Sequence, residues 1–458
     1  MTARDRYGLS LSTGADAARE YRRGLDGVLS LRAGAADAFA TAIVFDPRFA
    51  LGHAALALVG HDLCVEVDLA ARMRDAERWA HLGTAREQSH VAAVLAHLRG
   101  DGGPMVRHLE EYPVDALLLS AAVPTIAFAG VTEVPEQAWA IVEGAGPAYG
   151  DDWWYAGLLA FVRQEQGRFE EAYELSCRSL AEQPDAGHSA HARAHVHYET
   201  GDHVAGLTWM DDWVLGDGAR TESLTHFSWH AAMHEMSLGD LDAVRRRYDT
   251  QLRPEHATGC RSLVDSGSLL VRWALSPGAE SVPGLTGVAT AVGRDVLLRP
   301  ATPFLGMHAA VALLALGDGA GLTALAEWTQ GHSHPTHREV VAPLARALGL
   351  LHAGRASAGA SALAALAGSV RRVGGSDAQR ELVEEVRIAA LIRADRWDEA
   401  RELLDARLDR RASPRDRAWR ASCPEPSAAG RGSDRQDLVA LDLDLHRGQR
   451  HRGGAVHH

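Results

Sequence analysis

The 24 histidines of this chain are more informative by spacing than by number. His188, His191 and His195 lie thirteen, ten and six residues before Gly201, and His226, His230 and His234 recur at steps of four before Gly239. Steps of four advance about 400° on a helix, so a run of three drifts only about 80° and stays on one face. His308 lies nine residues before Gly317, the offset His230 has from Gly239. Two His at i and i+4 can hold one divalent metal ion from a single helix, and His191/His195, His226/His230 and His230/His234 all have that spacing. Imidazole also suits acid/base chemistry, because its unperturbed pKa of about 6.5 lies near neutrality. Glu199, Glu222, Glu235 and Asp265 are the carboxylates that would orient such rings. Three readings follow: a metal or acid/base site built from His191, His195, His226 and His230; a groove whose imidazoles bind a ligand without metal; and rings spent separately as packing between helices.

These histidines need elements to carry them, and the chain supplies a repeat. A short turn signature followed by Ala-containing helical text recurs at Gly167, Gly201, Gly239, Gly317 and Gly354, and in degenerate form at Asp395-Arg-Trp-Asp-Glu-Ala400. The glycine spacings, 34, 38, 78 and 37 residues, match paired-helix repeats when the long gap is read as two units. Apolar residues at helical steps flank each turn, as in Trp154, Leu158 and Phe161 before Gly167 and Phe169 and Tyr173 after it. Strand-type alternation is scarce. Residues 101–104 and 276–294 read as loops. The histidine stripes fall on the helix that precedes each turn glycine.

Other motifs read as structural. Asp152 is a helix cap before Trp153-Trp154-Tyr155, Trp209 and Trp213 are a packing pair, and the charged stretch 379–393 is a solvated helix face. Gly331-His-Ser-His-Pro-Thr-His337 is a loop or helix start. Neither HExxH nor GxSxG occurs, and the glycines at 144–150 lack the context of a dinucleotide loop.

Composition narrows the function classes. All 47 basic residues are Arg, and neither Lys nor Asn occurs, which removes a Schiff-base lysine, a Walker-type lysine and N-glycosylation. A formal net charge of −13 argues against nucleic acid as a partner. Apolar runs are too short for a membrane span and the first 30 residues lack a signal pattern, so the expected location is the cytoplasm. Cys64, Cys177, Cys260 and Cys423 are too scattered for a disulfide framework or a cysteine-based zinc site.

The wording resembles the tetratricopeptide repeat protein 38 family, known from bacteria and animals. The matching text is Tyr7-Gly-Leu, Ala40 to Ala54, Arg86-Glu87-Gln-Ser-His90-Val-Ala-Ala93, His191 to Gly201, His226 to Asp240, Asp265-Ser-Gly-Ser-Leu-Leu270, His308, Gly375 to Arg380 and Arg396 to Arg401 with Arg407. It spans residues 7 to about 420. Asp377 stands where the family has His, and Arg193 where it usually has an apolar residue. The resemblance implies a helical solenoid and carries no assigned activity with it.

The expectation is an all-α, right-handed solenoid of tetratricopeptide-like hairpins over residues 21–420, with a lead-in at 1–20 and a disordered tail at 421–458. A concave groove lined by His188, His191, His195, His226, His230, His308 and Asp265 would capture a peptide or small ligand, which makes this a binding protein. The alternative is an enzyme using those imidazoles on a small molecule, either with metal or as acid and base. No cofactor is required by the sequence, and a divalent metal is the one candidate.

Overall fold

Each turn glycine of the repeat adopts left-handed backbone: φ is 74° at Gly167, 73° at Gly201, 81° at Gly239, 66° at Gly317 and 75° at Gly354. Asp395 enters the same region at 58°, as the degenerate member of the series must to make the same turn. The N–H groups at each turn fold back onto the last helical carbonyls. Gly167 N–H donates to Gln164 O at 3.0 Å and Arg168 N–H to Arg163 O at 2.8 Å, and the same pair of bonds recurs at Gly317/Asp318 and Gly354/Arg355. This termination satisfies orphan carbonyls and needs a residue tolerant of positive φ, which is why the repeat marks itself with glycine.

The computed structural model describes residues 3–62, 65–125 and 135–424. Among them are 24 α-helices and one antiparallel pair of two-residue strands, Ala3–Arg4 with Ser10–Leu11. The fold is all-α. No described helix is long and apolar enough to cross a membrane. The chain divides into two compact units, Met1–Val196 with Trp209–Phe227 and His197–Thr208 with Ser228–His458.

In the first unit, Ala15–Ser30 packs on Ala35–Phe45, which packs on Ala50–Asp62; Trp153–Glu165 and Phe169–Glu182 form the hairpin around Gly167. Tyr21, Phe39 and Phe49 meet in the core. The helix Ala85–Leu98 starts with a capping box, in which the Thr84 hydroxyl and the Glu87 side chain serve each other's backbone. Asp152 caps Trp153–Glu165 by accepting from Trp154 N–H and Tyr155 N–H. Trp209 stacks on Trp213 with ring centroids 6.4 Å apart.

The second unit is organised around Pro303–Ala315, which packs against Ala342–His352 and against two π-helical turns, Ser262–Gly267 and His337–Val341. Its core carries charge. Glu385, on Asp377–Arg393, is fully buried and accepts from Arg272 Nη1 at 2.7 Å, from both Arg415 Nη atoms at 3.0 Å and from Arg407 Nη2 at 3.3 Å. Glu381 is likewise buried against Arg411 and Tyr198. The stretch 379–393 is therefore not simply the solvated face its composition suggests: Glu381 and Glu385 point inward, where the guanidiniums of Arg272, Arg407, Arg411 and Arg415 offset their desolvation.

The segment 276–294 also departs from a plain loop. Thr286–Val292 forms a short helix, because Leu285 and Val288 are buried in the core and fix its backbone. The lead-in before Ala15 folds into the strand pair, and the expected disordered tail lies, from residue 425 on, outside the described residues.

Candidate functional site

The helices Gly187–Glu199 and Leu224–Leu238 are buried nearly all round, with alanines that let neighbours approach, so their histidines are enclosed. His191, His195 and His226 are each 1–2% exposed. In the first unit these three converge through one atom type. His195 Nε2 lies 3.1 Å from His191 Nε2, and His226 Nε2 lies 3.1 Å from the same atom. Phe161 stacks on the His191 ring at 5.4 Å, and Phe227 meets it edge-on at 6.2 Å. These two aromatic contacts hold the His191 ring in place.

An N–H···N contact needs one donor and one acceptor. His191 Nε2 takes part in both contacts, so in the metal-free state its single site must serve two neighbours at once. A cation removes that conflict, because all three nitrogens then present lone pairs. With Zn–N bonds of about 2.0–2.1 Å in tetrahedral geometry, ligand nitrogens stand about 3.3 Å apart, close to the 3.1 Å separations here. Each 3.1 Å contact therefore has the spacing of two ligands on one small divalent ion, and closing the triad needs His195 and His226 to turn toward each other, since these three are not among the groups whose ligand atoms all lie within 4.8 Å of one another.

His188 is satisfied within a helix seam: its Nε2–H donates to Val28 O at 3.0 Å and its Nδ1 accepts from Thr125 Oγ1 at 2.6 Å. His230, on the second unit's share of its helix, is buried with its ring edge-on to Trp229 at 4.9 Å. His234, from the same stripe, pairs with His203 through Nδ1 atoms 3.1 Å apart, and His203 Nε2–H donates to Ala412 O at 3.0 Å.

His308 and Asp265 both belong to the second unit and sit within electrostatic reach of each other. Asp265 lies on the π turn Ser262–Gly267, fully buried, with Arg261 Nη1 at 3.8 Å. Neither ring nitrogen of His308 has a hydrogen-bond partner among the described residues, and the same holds for Ser262 Oγ, Ser266 Oγ and both nitrogens of His337, which sits on the other π turn. A buried polar atom left unsatisfied costs about 1–3 kcal/mol, so both π turns hold polar side chains where apolar ones would be cheaper. π turns recur at functional sites for the same geometric reason.

Burial pushes the His308 pKa from 6.5 down to about 3, with Arg272 adding to the shift. The folded state thus keeps the ring neutral while the unfolded chain protonates it, so this contribution to stability is complete above pH 6.5 and is lost as pH falls from 6.5 toward 3. Urea titrations across that window are expected to show stability falling, by up to about 1.4 kcal/mol per pH unit from this ring, and His308→Leu should flatten the slope. An unchanged slope in that variant would show that the ring is not held neutral.

Two clusters escaped sequence reading. His61, Asp62 and His97 form one, and His90, His108 and Asp115 the other; in each, three ligand-type atoms lie within 4.8 Å of one another. Asp62 Oδ1 accepts from His61 Nδ1 at 2.7 Å and from His97 Nε2 at 3.3 Å. Apart from the adjacent His61 and Asp62, the partners in these clusters come from separate parts of the chain, at separations no motif encodes. The one available signal was His90 within Arg86-Glu87-Gln-Ser-His90, four residues after the buried Arg86.

No family model matches the chain.

Proposed function

We propose that this chain is a metal-dependent helical-repeat protein in which Nε2 of His191, His195 and His226 hold a divalent transition-metal ion and leave a position for a small ligand. The observation that carries the reading is the pair of 3.1 Å Nε2 to Nε2 separations that share His191; binding then turns His195 and His226 toward each other around the ion. Three neutral imidazoles leave the ion its full charge, and such an ion supplies Lewis acidity and a bound water of lowered pKa, the chemistry of hydrolysis or hydration. Phe161 and Phe227 hold the His191 ring in place. Burial of these rings favours a small ligand over a peptide, since a peptide binds along an open surface. The repeat turns support placing the chain with tetratricopeptide-like proteins, and the ordered run of matching segments supports the protein 38 family among them.

Metal analysis of the purified chain after dialysis against Co²⁺ tests the reading. One equivalent with a tetrahedral visible spectrum is expected. His191→Ala should abolish it, and His226→Ala should weaken binding by more than the roughly 100-fold typical of second-shell changes. His97→Ala, in a different cluster, should leave it intact. Absence of stoichiometric metal in the parent chain, or retention in His191→Ala, would refute the proposal.

A further inference from the structure

Beneath the N-terminal strand pair lies a set of groups that shares no residue with the proposed metal centre. Asp5 Oδ1 accepts from Tyr7 N–H and Leu9 N–H, both at 2.9 Å, and so closes the turn between the two strands. The hairpin is fastened to the helix Ala85–Leu98. Arg86 donates to Ser10 O, while Ser12 N–H and Oγ–H donate to the Glu87 carboxylate at 2.7 and 2.6 Å.

One helical turn beyond Arg86, His90 is fully buried. Its Nδ1–H donates to Asp115 Oδ2 at 2.8 Å. The same oxygen accepts from Arg86 Nη1 at 3.1 Å and His108 Nε2 at 3.2 Å, and His108 Nδ1 meets Ser89 Oγ at 2.9 Å. Three donors on one oxygen make Asp115 a held carboxylate rather than a metal ligand: the Arg86 cation already occupies the place a metal would take.

The carboxylate also fixes the tautomer of His90. A carboxylate only accepts, so Nδ1 carries the proton and Nε2 is left with a lone pair. Burial lowers the pKa of the ring, which is therefore neutral at neutral pH. His90 Nε2 has no hydrogen-bond partner among the described residues. An imidazole whose far nitrogen is oriented by a buried carboxylate and whose near nitrogen is an unused acceptor is the arrangement of a general base or a ligand anchor.

The chemistry of the surroundings restricts what that nitrogen would take. It can only accept, so the complementary group must donate. Arg86 and Asp115 already balance each other in a buried setting, so a ligand with net charge would lack a counter-charge.

We propose that His90 Nε2 anchors a small neutral hydroxyl compound, whose O–H it accepts, inside the first unit beside the helix to which the N-terminal hairpin is fastened. The ligand is identified here only by that chemistry, and the proposal stands or falls independently of the metal centre.

Phenol and benzene, which differ by the hydroxyl alone, test it on the full chain. In protein labelled with nitrogen-15 histidine, the His90 Nε2 resonance is assigned by its loss in His90→Gln, or by through-bond experiments if that variant does not fold. It should be found unprotonated, and it should shift saturably with phenol and not with benzene. A protonated Nε2, an equal response to both compounds, or no response to phenol would overturn the proposal, the last by showing that water alone serves the nitrogen.

Discussion

Replacing Glu385 by Ala is expected to cost the second unit about 3–5 kcal/mol of stability, among the largest effects of any single substitution in this chain. The carboxylate is fully buried and is shared by Arg272, Arg407 and Arg415. Removing it leaves Arg272 without its carboxylate in the core and leaves Arg407 and Arg415 to share Asp416. The three cations hold the Glu385 carboxyl down at about 2, against an ordinary 4.5. A depressed carboxylate pKa contributes stability that is fully present above about pH 4.5 and is lost as pH falls toward 2. Guanidinium denaturation followed by circular dichroism should therefore show a midpoint shift at neutral pH that shrinks as the parent chain is acidified. A shift worth less than about 1 kcal/mol, within the range of an exposed pair, would mean that the cluster is hydrated.

Asp115→Asn is expected to destabilise the first unit by about 3 kcal/mol. The change is isosteric, so the loss comes from chemistry rather than from a cavity. Arg86 loses its counter-charge, and the amide cannot accept from Arg86, His90 and His108 as the carboxylate does. Those groups hold the Asp115 pKa well below the usual carboxylate value despite burial, so acid should remove the same stabilisation from the parent chain. Denaturation midpoints check the size of the effect. Nitrogen-15 spectra check its cause, because His90 should lose its fixed Nδ1–H tautomer. A variant of parental stability with an unchanged tautomer would show that Asp115 does not hold the ring.

The fold was legible because its punctuation is local. A left-handed turn requires glycine, or a residue such as Asp395 that tolerates positive φ, whatever surrounds it, so the turns could be read without knowing what packs against them. The histidine stripe was legible in part for a similar reason. Helical spacing alone placed His191 and His195 together, and the repeat register brought His226 to them. His188 has the same register but was claimed by Val28 O and Thr125, partners 160 and 63 residues away. The charged stretch holding Glu385 was misread because burial of a carboxylate depends on guanidiniums from distant helices. The link between His90 and Asp115 was invisible for the same reason: their meeting depends on how two separate helices dock. Thr286–Val292 became helical through the burial of Leu285 and Val288, in spite of its glycine-rich surroundings.

The π turn Ser262–Gly267 has a consequence for how this chain tolerates change in length. A π turn is an α-helix with one surplus residue wound into it. Deleting a single residue there would return the segment to plain α-helix with little change of direction beyond it, because about five steps of the wider turn cover the rotation of four α-helical ones. Arg272, carried on Ser268–Ala274, would stay aimed at Glu385, whereas the same deletion between Ser268 and Arg272 would swing its guanidinium away by about 100°. The wide turn is thus the place where this segment tolerates losing a residue.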